Sequence, residues 1–450
     1  MNSADYFYQC RQILTTAINE LGFLVTDKKI CEISELILES MTGKWRYFHS
    51  FEHILMVSKT GDSLITLAAL FHDLVYLQID NKISFHLTPY LNPFIVEKEG
   101  VLFIKSNLDY QDNCGEIVLR IFDLHLGDKL SPLNQNEFLS ALIAAKILES
   151  FLPLSIITRI VTMIELTIPF RKIITGEKSI PHQLQQRLTE VNQEFNLGLN
   201  NAEIILTISQ AVKFANIDVG GFASNNVSDF INNTWLLLAE TNHDLIDTHK
   251  YTIKDYRFSL AKTTLFLNSL SPQLIFHQYN NQPNILEFQE LVNITRYNLT
   301  ISKYYLATKL VSISILEALC YRFSANISLS FLFDFSHKYL SIMNFLPSSK
   351  PYHPQNEIEK QVLILLDSEF DCSLYDSFKN TLFSSFIAKY LSFTEILNYQ
   401  TKCYLFFDNQ LDSEEFLRFF PLSLINIISE AIAKLLMEKQ KAVIMTKNEK

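Results

Sequence analysis

The chain contains few glycines and prolines, the residues that most often interrupt regular secondary structure. Only 10 glycines and 12 prolines occur among its 450 residues. A sandwich or barrel draws on these two residue types for a turn about every 8–12 residues, whereas long helices with short connections need few of them. Apolar residues also recur every three or four positions over residues 30–41, 53–59 and 64–76, which is the period of an amphipathic or buried helix. We therefore predict an all-α fold.

The length of the chain favours two domains, since 450 residues exceed what one compact core usually organises. Hydrophobic residues make up 48% of the sequence, enough to fill a sizeable core. An Asn- and Ser-rich segment at residues 222–233 is the candidate boundary. We predict one domain over residues 1–224 and a helical C-terminal domain over residues 225–450, whose role the sequence leaves open.

Local signals mark several element ends in the first half. Asp27 and Asp62 are predicted N-caps, because a carboxylate there accepts from free amides of the first helical turn. Two prolines and a glycine predict an irregular insertion over residues 87–105, with a short hairpin through residues 101–104. Later helices are predicted at residues 135–152, 154–167 and 202–215.

Charge and cysteine usage exclude several classes of protein. The net charge is −10 and no run of Lys or Arg is present, so we expect no binding to a nucleic-acid duplex. The six cysteines lie far apart without a C-x-x-C pair, which predicts neither a zinc knuckle nor a secreted disulfide framework.

The N-terminus has no basic stretch followed by an apolar one, which argues against export. The most apolar segment, residues 151–170, contains Arg159 and Glu165 and suits a buried helix better than a membrane span. The expected location is the cytoplasm.

Two short motifs carry the chemistry. His49 and His53 form an H-x3-H pair, whose members face the same side of a helix. His72 and Asp73 follow residues 64–71, which are apolar except for one threonine. A His-Asp pair that ends such a helix places a charge where burial disfavours it, and a divalent cation is the usual compensation.

A further aspartate, Asp218, ends another apolar helical segment. With His53 and the His72-Asp73 pair, this order resembles the HD superfamily of metal-dependent phosphohydrolases, whose signature is a His, an adjacent His-Asp pair and a distant Asp around one metal. The resemblance covers the first half of the chain, to about residue 222. It implies an HD-type helical bundle.

The resemblance also implies roles for these residues. His53, His72, Asp73 and Asp218 would hold a divalent metal ion, with Mn²⁺, Mg²⁺, Fe²⁺ and Zn²⁺ as candidates. Such an ion lowers the pKa of a water and polarises a phosphoryl oxygen. Asp73 or Asp218 would orient the attacking water, and His49, which follows Tyr47 and Phe48 in a Y-H-x3-H-like stretch, would act as general acid.

Two arginines are candidates to neutralise charge on a phosphate. Arg46 precedes the first histidine motif, and Arg171 follows the segment where HD proteins carry a helix that closes the pocket. No histidine follows the His-Asp pair closely, so the sequence leaves open whether a second metal ion binds. Asp123 and His125 are alternative ligands for such a metal, although we interpret His125 as a solvated loop residue.

The expected function is therefore metal-dependent hydrolysis of a phosphomonoester or phosphodiester. The expected ligand is a small phosphorylated substrate, with a nucleotide as the leading candidate, and the C-terminal half is a candidate surface for a homodimer or a protein partner. Two alternatives stay open. One is a non-catalytic binding or regulatory protein on an HD scaffold, and the other is an HD-type di-iron oxygenase.

Overall fold

The computed structural model describes residues 3–108, 112–172, 178–240, 242–246, 252–322, 329–333, 340–348, 352–367 and 381–448. Helix accounts for 70% of the structure, and the described residues form twenty α-helices and one two-stranded sheet. The predicted all-α class is confirmed. No helix in these ranges is long and apolar enough to cross a lipid bilayer.

The chain divides into two compact units, each continuous in space but not in sequence. The first comprises Met1–Ala223 and Leu270–Thr295, and the second comprises Ser224–Ser269 and Arg296–Lys450. The sequence suggested that the chain passes from the first domain to the second only once, after residue 224. In the structure the chain returns to the first unit over residues 270–295. This return is held in place because the side chain of Asn216 hydrogen-bonds both the backbone N–H and the carbonyl of His277, each at 2.8 Å.

The first unit is a bundle around one apolar core. Its helices are α1 (Ser3–Glu20), α2 (Asp27–Met41), α3 (Phe51–Ser58), α4 (Ser63–Phe71), α5 (Leu77–Asp80), α6 (Thr88–Leu91), α7 (Asn113–Ile121), α8 (Gln135–Leu148), α9 (Leu154–Leu166), α10 (Ile180–Glu194) and α11 (Asn201–Asp218). The central helix is α9, which packs against α4, α7, α8, α10 and α11. Ile160, Val161 and Ile164 of α9 are fully buried, so this helix is apolar around most of its circumference.

The start of α4 agrees with the sequence, but its end does not. Asp62 caps α4 by accepting from Leu64 and Ile65 amides, as predicted. Helix was expected as far as residue 76, whereas α4 ends at Phe71. The following amides find other acceptors, because Val75 N–H donates to Ser140 Oγ of α8 at 3.0 Å. Tertiary hydrogen bonds therefore stop the helix beside His72.

The predicted cap at Asp27 is wrong. Thr26 occupies the N-cap of α2 and its hydroxyl accepts from Lys29 N–H, whereas Asp27 is the first helical residue. Asp27 instead accepts from Arg11 at 2.8 Å. An acidic residue in the first turn still interacts favourably with the helix dipole, so both positions satisfy local chemistry.

The predicted insertion contains a hairpin, but residues 101–104 form only its second strand. Strands β1 (Ile95–Lys98) and β2 (Val101–Ile104) pair antiparallel, with Lys98 opposite Val101. The two turn residues, Glu99 and Gly100, have φ of 52° and 75°. Positive φ at both positions is typical of the tight turn whose twist matches that of the strands, and glycine adopts it without steric cost.

The second unit contains the remaining helices. They are α12 (Val227–Glu240), α13 (Ile253–Ser269), α14 (Ile285–Arg322, whose first turns belong to the first unit), α15 (Leu329–Phe333), α16 (Glu357–Asp367), α17 (Thr381–Tyr390), α18 (Phe393–Phe407), α19 (Ser413–Leu417) and α20 (Leu422–Asn448). The long helix α14 supplies buried residues such as Tyr305 and Leu310. Its Lys309 is fully buried and lies 5.7 Å from the ring centroid of Trp235, a cation–π distance.

Candidate metal centre

Three helix ends carry the residues that the sequence singled out. His53 lies in the first turn of α3, His72 caps the C-terminus of α4, and Asp218 is the last residue of α11. Helix α4 contacts α3 and α11, and α11 also contacts α3. The packing of these three helices brings side chains together that are far apart in the sequence.

The imidazoles and the distant carboxylate converge on one point. His53 Nε2 lies 2.9 Å from Asp218 Oδ1, and His72 Nε2 lies 3.2 Å from the same oxygen. One ligand atom from each residue lies within 4.8 Å of the other two. His53 and His72 are 7% and 2% exposed, so the group is shielded from bulk water. Within the described ranges this is the one such cluster of His, Cys, Asp and Glu.

Asp73 completes the arrangement. Its Oδ2 lies 3.2 Å from His72 Nε2 and 3.9 Å from His53 Nε2. This oxygen is buried and has no well-aligned hydrogen-bond donor among the described residues. A buried carboxylate oxygen without a donor is unfavourable, and a cation at the centre of the four side chains would remove that penalty. Two imidazoles and two carboxylates suit Mn²⁺, Fe²⁺ or Zn²⁺ as a donor set.

The orientation of His72 is set by its backbone surroundings. Its Nδ1 lies 2.9 Å from the backbone carbonyl of Ala69, one turn earlier in α4. Since a carbonyl only accepts, Nδ1 carries a proton in this hydrogen bond. The lone pair of the neutral ring is then on Nε2, which faces the carboxylates. Metal-binding histidines are usually oriented by this kind of hydrogen bond.

His72, Asp73 and Asp218 shift one another's pKa values. Burial raises the pKa of the Asp73 and Asp218 carboxyls, but the adjacent His72 outweighs it and holds both pKa values well below the usual range. Burial lowers the pKa of His72, whereas the two carboxylates raise it well above its ordinary value. A proton on His72 thus takes the place of a cation when no metal is bound, and metal binding must displace it.

These four residues form a candidate metal centre. A comparison with family models, with characterised proteins and with solved structures finds no match for this chain. The resemblance to HD phosphohydrolases therefore rests on the residues and their convergence, and the reaction is a proposal.

His49 lies beside the centre. Its ring is 6.1 Å from that of His53 and 4.3 Å from that of Tyr76, centroid to centroid. A charge on His49 stabilises the ionised carboxylate of Asp73. The structure therefore places the candidate general acid near the site.

Arg46 is fully buried at the guanidinium and lies behind Asp73. It donates to Asp80 Oδ2 at 2.6 Å, to the backbone carbonyl of Asp73 at 2.6 Å and to that of Leu74 at 3.3 Å. These contacts commit its donors to protein acceptors. Arg46 thus positions the backbone that carries Asp73.

Arg171 belongs to a separate ion network. Its guanidinium donates to Glu165 Oε1 at 2.7 Å and to the Glu165 carbonyl at 3.2 Å, and Arg187 donates to the same carboxylate. Phe170, with φ of 57°, turns the chain so that its ring packs on Phe222, which follows Asp218 in the next helical turn. Arg171 therefore lies next to a segment that adjoins the centre, with most of its donors committed to Glu165.

His86, His125 and His182 lie outside the group of converging ligand atoms. His86 Nε2 lies 3.0 Å from Ser40 Oγ, and His182 Nδ1 lies 2.7 Å from Ser179 Oγ. The His125 side chain is 65% exposed and its Nδ1 lies 3.5 Å from Asp128. An exposed ring with one distant carboxylate is typical of a surface loop.

Glu137 is a site residue that the sequence analysis missed. It lies in the first turn of α8 and interacts electrostatically with Asp73, Asp218 and His72. Burial and the two neighbouring carboxylates raise the pKa of Glu137 to about 8. In the sequence it is an ordinary acidic residue at a helix N-terminus, where the helix dipole alone explains it. Only the packing of α8 reveals its neighbours.

Proposed function

We propose that this chain is a metal-dependent phosphohydrolase that cleaves a phosphomonoester or a phosphodiester. The observation that carries the proposal is the convergence of His53, His72, Asp73 and Asp218, with a buried Asp73 oxygen that has no well-aligned donor in the described residues.

The four residues would hold the ion through imidazole nitrogens and carboxylate oxygens. Mn²⁺, Mg²⁺, Fe²⁺ and Zn²⁺ remain candidates, since mixed nitrogen and oxygen ligands accommodate each of them to a different degree. When bound, the ion supplies positive charge that activates water and stabilises a phosphoryl transition state.

The protein side chains prepare the site for this chemistry. Arg46 fixes the backbone of Asp73, and the Ala69 carbonyl orients His72, so both ligands are held before substrate arrives. His49 would donate a proton to the leaving oxygen, for which an imidazole with a pKa near neutrality is suited.

The net charge of the chain limits the kinds of phosphorylated substrate that it can attract. A surface of −10 repels polyanions on average, so a phosphate must be attracted by local positive charge. A small phosphorylated substrate such as a nucleotide meets this condition. Arg171 is the candidate for a second contact with the phosphate, because its Nε is buried without a partner in the described part of the chain.

The proposal is tested by elemental analysis of the purified protein together with a screen of phosphorylated compounds. We expect about one metal ion per chain and metal-dependent release of phosphate or of an alcohol from at least one ester. His72→Ala and Asp73→Ala should lose both. His125→Ala removes an exposed histidine and serves as the matched control, which should keep metal and activity.

A protein that holds metal but turns over no ester would contradict the phosphohydrolase proposal. That outcome would favour a binding or regulatory role on the same scaffold. Metal retained equally in wild type and both variants would overturn the assignment of the centre itself.

A further inference from the structure

An ion cluster at the end of α9 combines two arginines with one carboxylate. Arg171 Nη1 donates to Glu165 Oε1 at 2.7 Å, and Arg187 Nη2 donates to the same oxygen. Burial raises the pKa of Glu165, but the two guanidiniums outweigh it and hold that pKa below its ordinary value, so the carboxylate is ionised. In the described part of the chain, Glu165 is the one carboxylate that pairs with either arginine. The cluster therefore carries one positive charge in excess.

This excess charge acts on the neighbouring His277. Burial and, next, the charge of Arg171 lower the pKa of His277 to about 4, and Glu165 opposes the shift by less than Arg171 contributes to it. The electrostatic potential at this ring is therefore positive in spite of Glu165. An anion would meet the same potential beside the arginines.

Both arginines keep hydrogen-bond donors that no protein group uses. Among the described residues Arg187 donates only through Nη2, and the buried Nε of each arginine has no acceptor. Donors of a charged group that lack an acceptor are costly when they are buried. The side chains of Arg171 and Arg187 are 21% and 19% exposed, whereas that of Glu165 is 2% exposed. A ligand that arrives from solvent therefore meets the guanidiniums before the carboxylate.

The two guanidiniums are already held in position. Arg187 lies on α10, which packs against α9. Arg171 follows Phe170, whose ring packs on Phe222, and its Nη2 also donates to the Glu165 backbone carbonyl at 3.2 Å. A ligand would not have to immobilise either side chain, which removes much of the entropy cost of binding.

The packing of α4 on α11 shows at which end of the bundle the metal centre lies. The Gln210 side chain donates to Asp62 at the start of α4 at 2.6 Å, and Asp218 meets His72 at the end of α4. The two helices therefore run in the same direction. The centre lies at the C-terminal end of both.

The arginine cluster lies at the same end. Arg159 of α9 donates to Gln210 of α11 at 3.1 Å, and beyond the two helices the rings of Phe170 and Phe222 are 5.6 Å apart, so α9 and α11 also run in the same direction. Glu165 follows Arg159 by six residues, or about 9 Å along the axis at about 1.5 Å per residue. The last residue of α11 follows Gln210 by eight residues, or about 12 Å. The cluster is therefore a neighbour of the metal centre but shares no residue with it.

We propose that Arg171 and Arg187 form an anion site for a phosphoryl group, separate from the metal centre. Glu165 holds one edge of each guanidinium, and the phosphoryl oxygens accept from the remaining N–H groups and neutralise the excess charge. A phosphoryl group suits two planar forks better than a carboxylate does, because its three oxygens can accept from both at once. Free phosphate and a second phosphate of the substrate offer the same chemistry, and the two sources are distinguishable by experiment.

The binding test uses the metal-free full chain in EDTA, titrated with inorganic phosphate in a calorimeter. We expect one phosphate per chain, with binding weakened about 10- to 100-fold in Arg187→Gln, because charge-assisted hydrogen bonds are lost. Arg187→Lys should recover part of the affinity, since it keeps the charge without the fork. The fold should survive in both variants, because Glu165 keeps its pair with Arg171.

Two control variants locate the binding. Arg120→Gln removes an exposed arginine that pairs with Glu194 at 3.3 Å, and it should bind phosphate as wild type does. His72→Ala disrupts the metal centre and should also retain wild-type phosphate affinity without metal. Together they separate this site from general surface charge and from the centre.

A kinetic comparison identifies the source of the phosphoryl group, and this comparison alone rests on the proposed phosphohydrolase function. If the substrate supplies it, Arg187→Gln should raise KM about tenfold or more for a nucleoside 5′-diphosphate at constant kcat, and leave KM for the 5′-monophosphate unchanged. If both KM values stay at the wild-type level while phosphate binding is lost, the ligand is free phosphate.

Three results would overturn the anion site. They are a metal-free wild type that binds no phosphate, equal phosphate affinity in wild type and Arg187→Gln, and loss of binding in His72→Ala, which would assign the phosphate to the centre. A protein that hydrolyses no ester but loses phosphate binding in Arg187→Gln would refute the proposed function and leave this site standing.

Discussion

The Arg46 guanidinium donates a 2.6 Å hydrogen bond to the backbone carbonyl of Asp73. The same side chain forms a buried ion pair with Asp80, so one residue ties the N-terminal motif to the residues after the His-Asp pair. The buried charge of Asp80 and the backbone that carries the ligand Asp73 thus depend on a single guanidinium.

Arg46→Met should destabilise the fold by about 3 kcal/mol, because removing one partner of a buried pair leaves the other charge uncompensated. It should also weaken Mn²⁺ binding, since the Asp73 backbone loses its support. Arg46→Lys should recover only part of both, because an ammonium lacks the planar fork. Denaturant unfolding and metal titration measure these effects. Arg11→Met, whose pair with Asp27 is exposed, should leave both unchanged.

Metal should stabilise the protein through the candidate centre. At free Mn²⁺ about 100-fold above the dissociation constant, linkage predicts about 2.7 kcal/mol of extra stability and a higher Tm. Asp218→Asn should abolish this shift, whereas Asp128→Asn, beside the exposed His125, should keep it. Calorimetry in buffers of different ionisation enthalpy should also detect proton release, because His72 must lose a proton to bind metal. An equal Tm shift in Asp218→Asn would remove that residue from the site.

Glu165 is buried between two guanidiniums, and the two sides of this network should respond differently to mutation. Glu165→Gln should cost about 3–5 kcal/mol, because Arg171 and Arg187 both lose their counter-charge. Arg171→Gln leaves the Arg187 pair intact and should cost less. If Arg171 also contacts phosphate, its variant should raise KM about tenfold at constant kcat. An unchanged KM would restrict Arg171 to the ion network.

His277 should make stability depend on pH. Burial and the positive charge of Arg171 lower its pKa to about 4, although the negative charge of Glu165 opposes the shift. The unfolded chain, with a pKa near 6.5, therefore binds a proton that the folded state does not over this interval. Stability contributed by the neutral ring is complete above pH 6.5 and is lost as pH falls towards about 4.

His277→Gln should remove this step from the stability curve of the metal-free protein, measured by unfolding at several pH values. His125→Gln, which changes an exposed ring, should retain it. A curve that His277→Gln leaves unaltered would show that another group titrates there.

Local patterns were sufficient for much of the fold. The helical period predicted the all-α class, Asp62 was recognisable as a cap, and two prolines with Gly100 marked the irregular segment that contains the hairpin. Each depends on residues within one or two turns of one another, so neighbouring side chains and backbone groups contain the information. The His72-Asp73 pair was visible for the same reason, as a polar interruption at the end of an apolar helix.

The features that the sequence could not predict depend on contacts between residues that are far apart along the chain. The end of α4 lies beside hydrogen bonds to α8, and residues 270–295 return to the first unit, where His277 hydrogen-bonds Asn216 and Tyr279 is buried in the core. The position of Arg46 behind the centre is another case, since its sequence context is equally compatible with a phosphate contact.

The sequence by itself determined that this chain is helical and that His72 and Asp73 needed a compensating charge, because periodicity and burial are local properties. Only the tertiary structure decided that Asp218 meets both imidazoles and that Glu137 interacts electrostatically with Asp73, Asp218 and His72. Their positions follow from how α11 and α8 pack, and packing is set by the sum of many weak contacts over the whole core, which no short motif records.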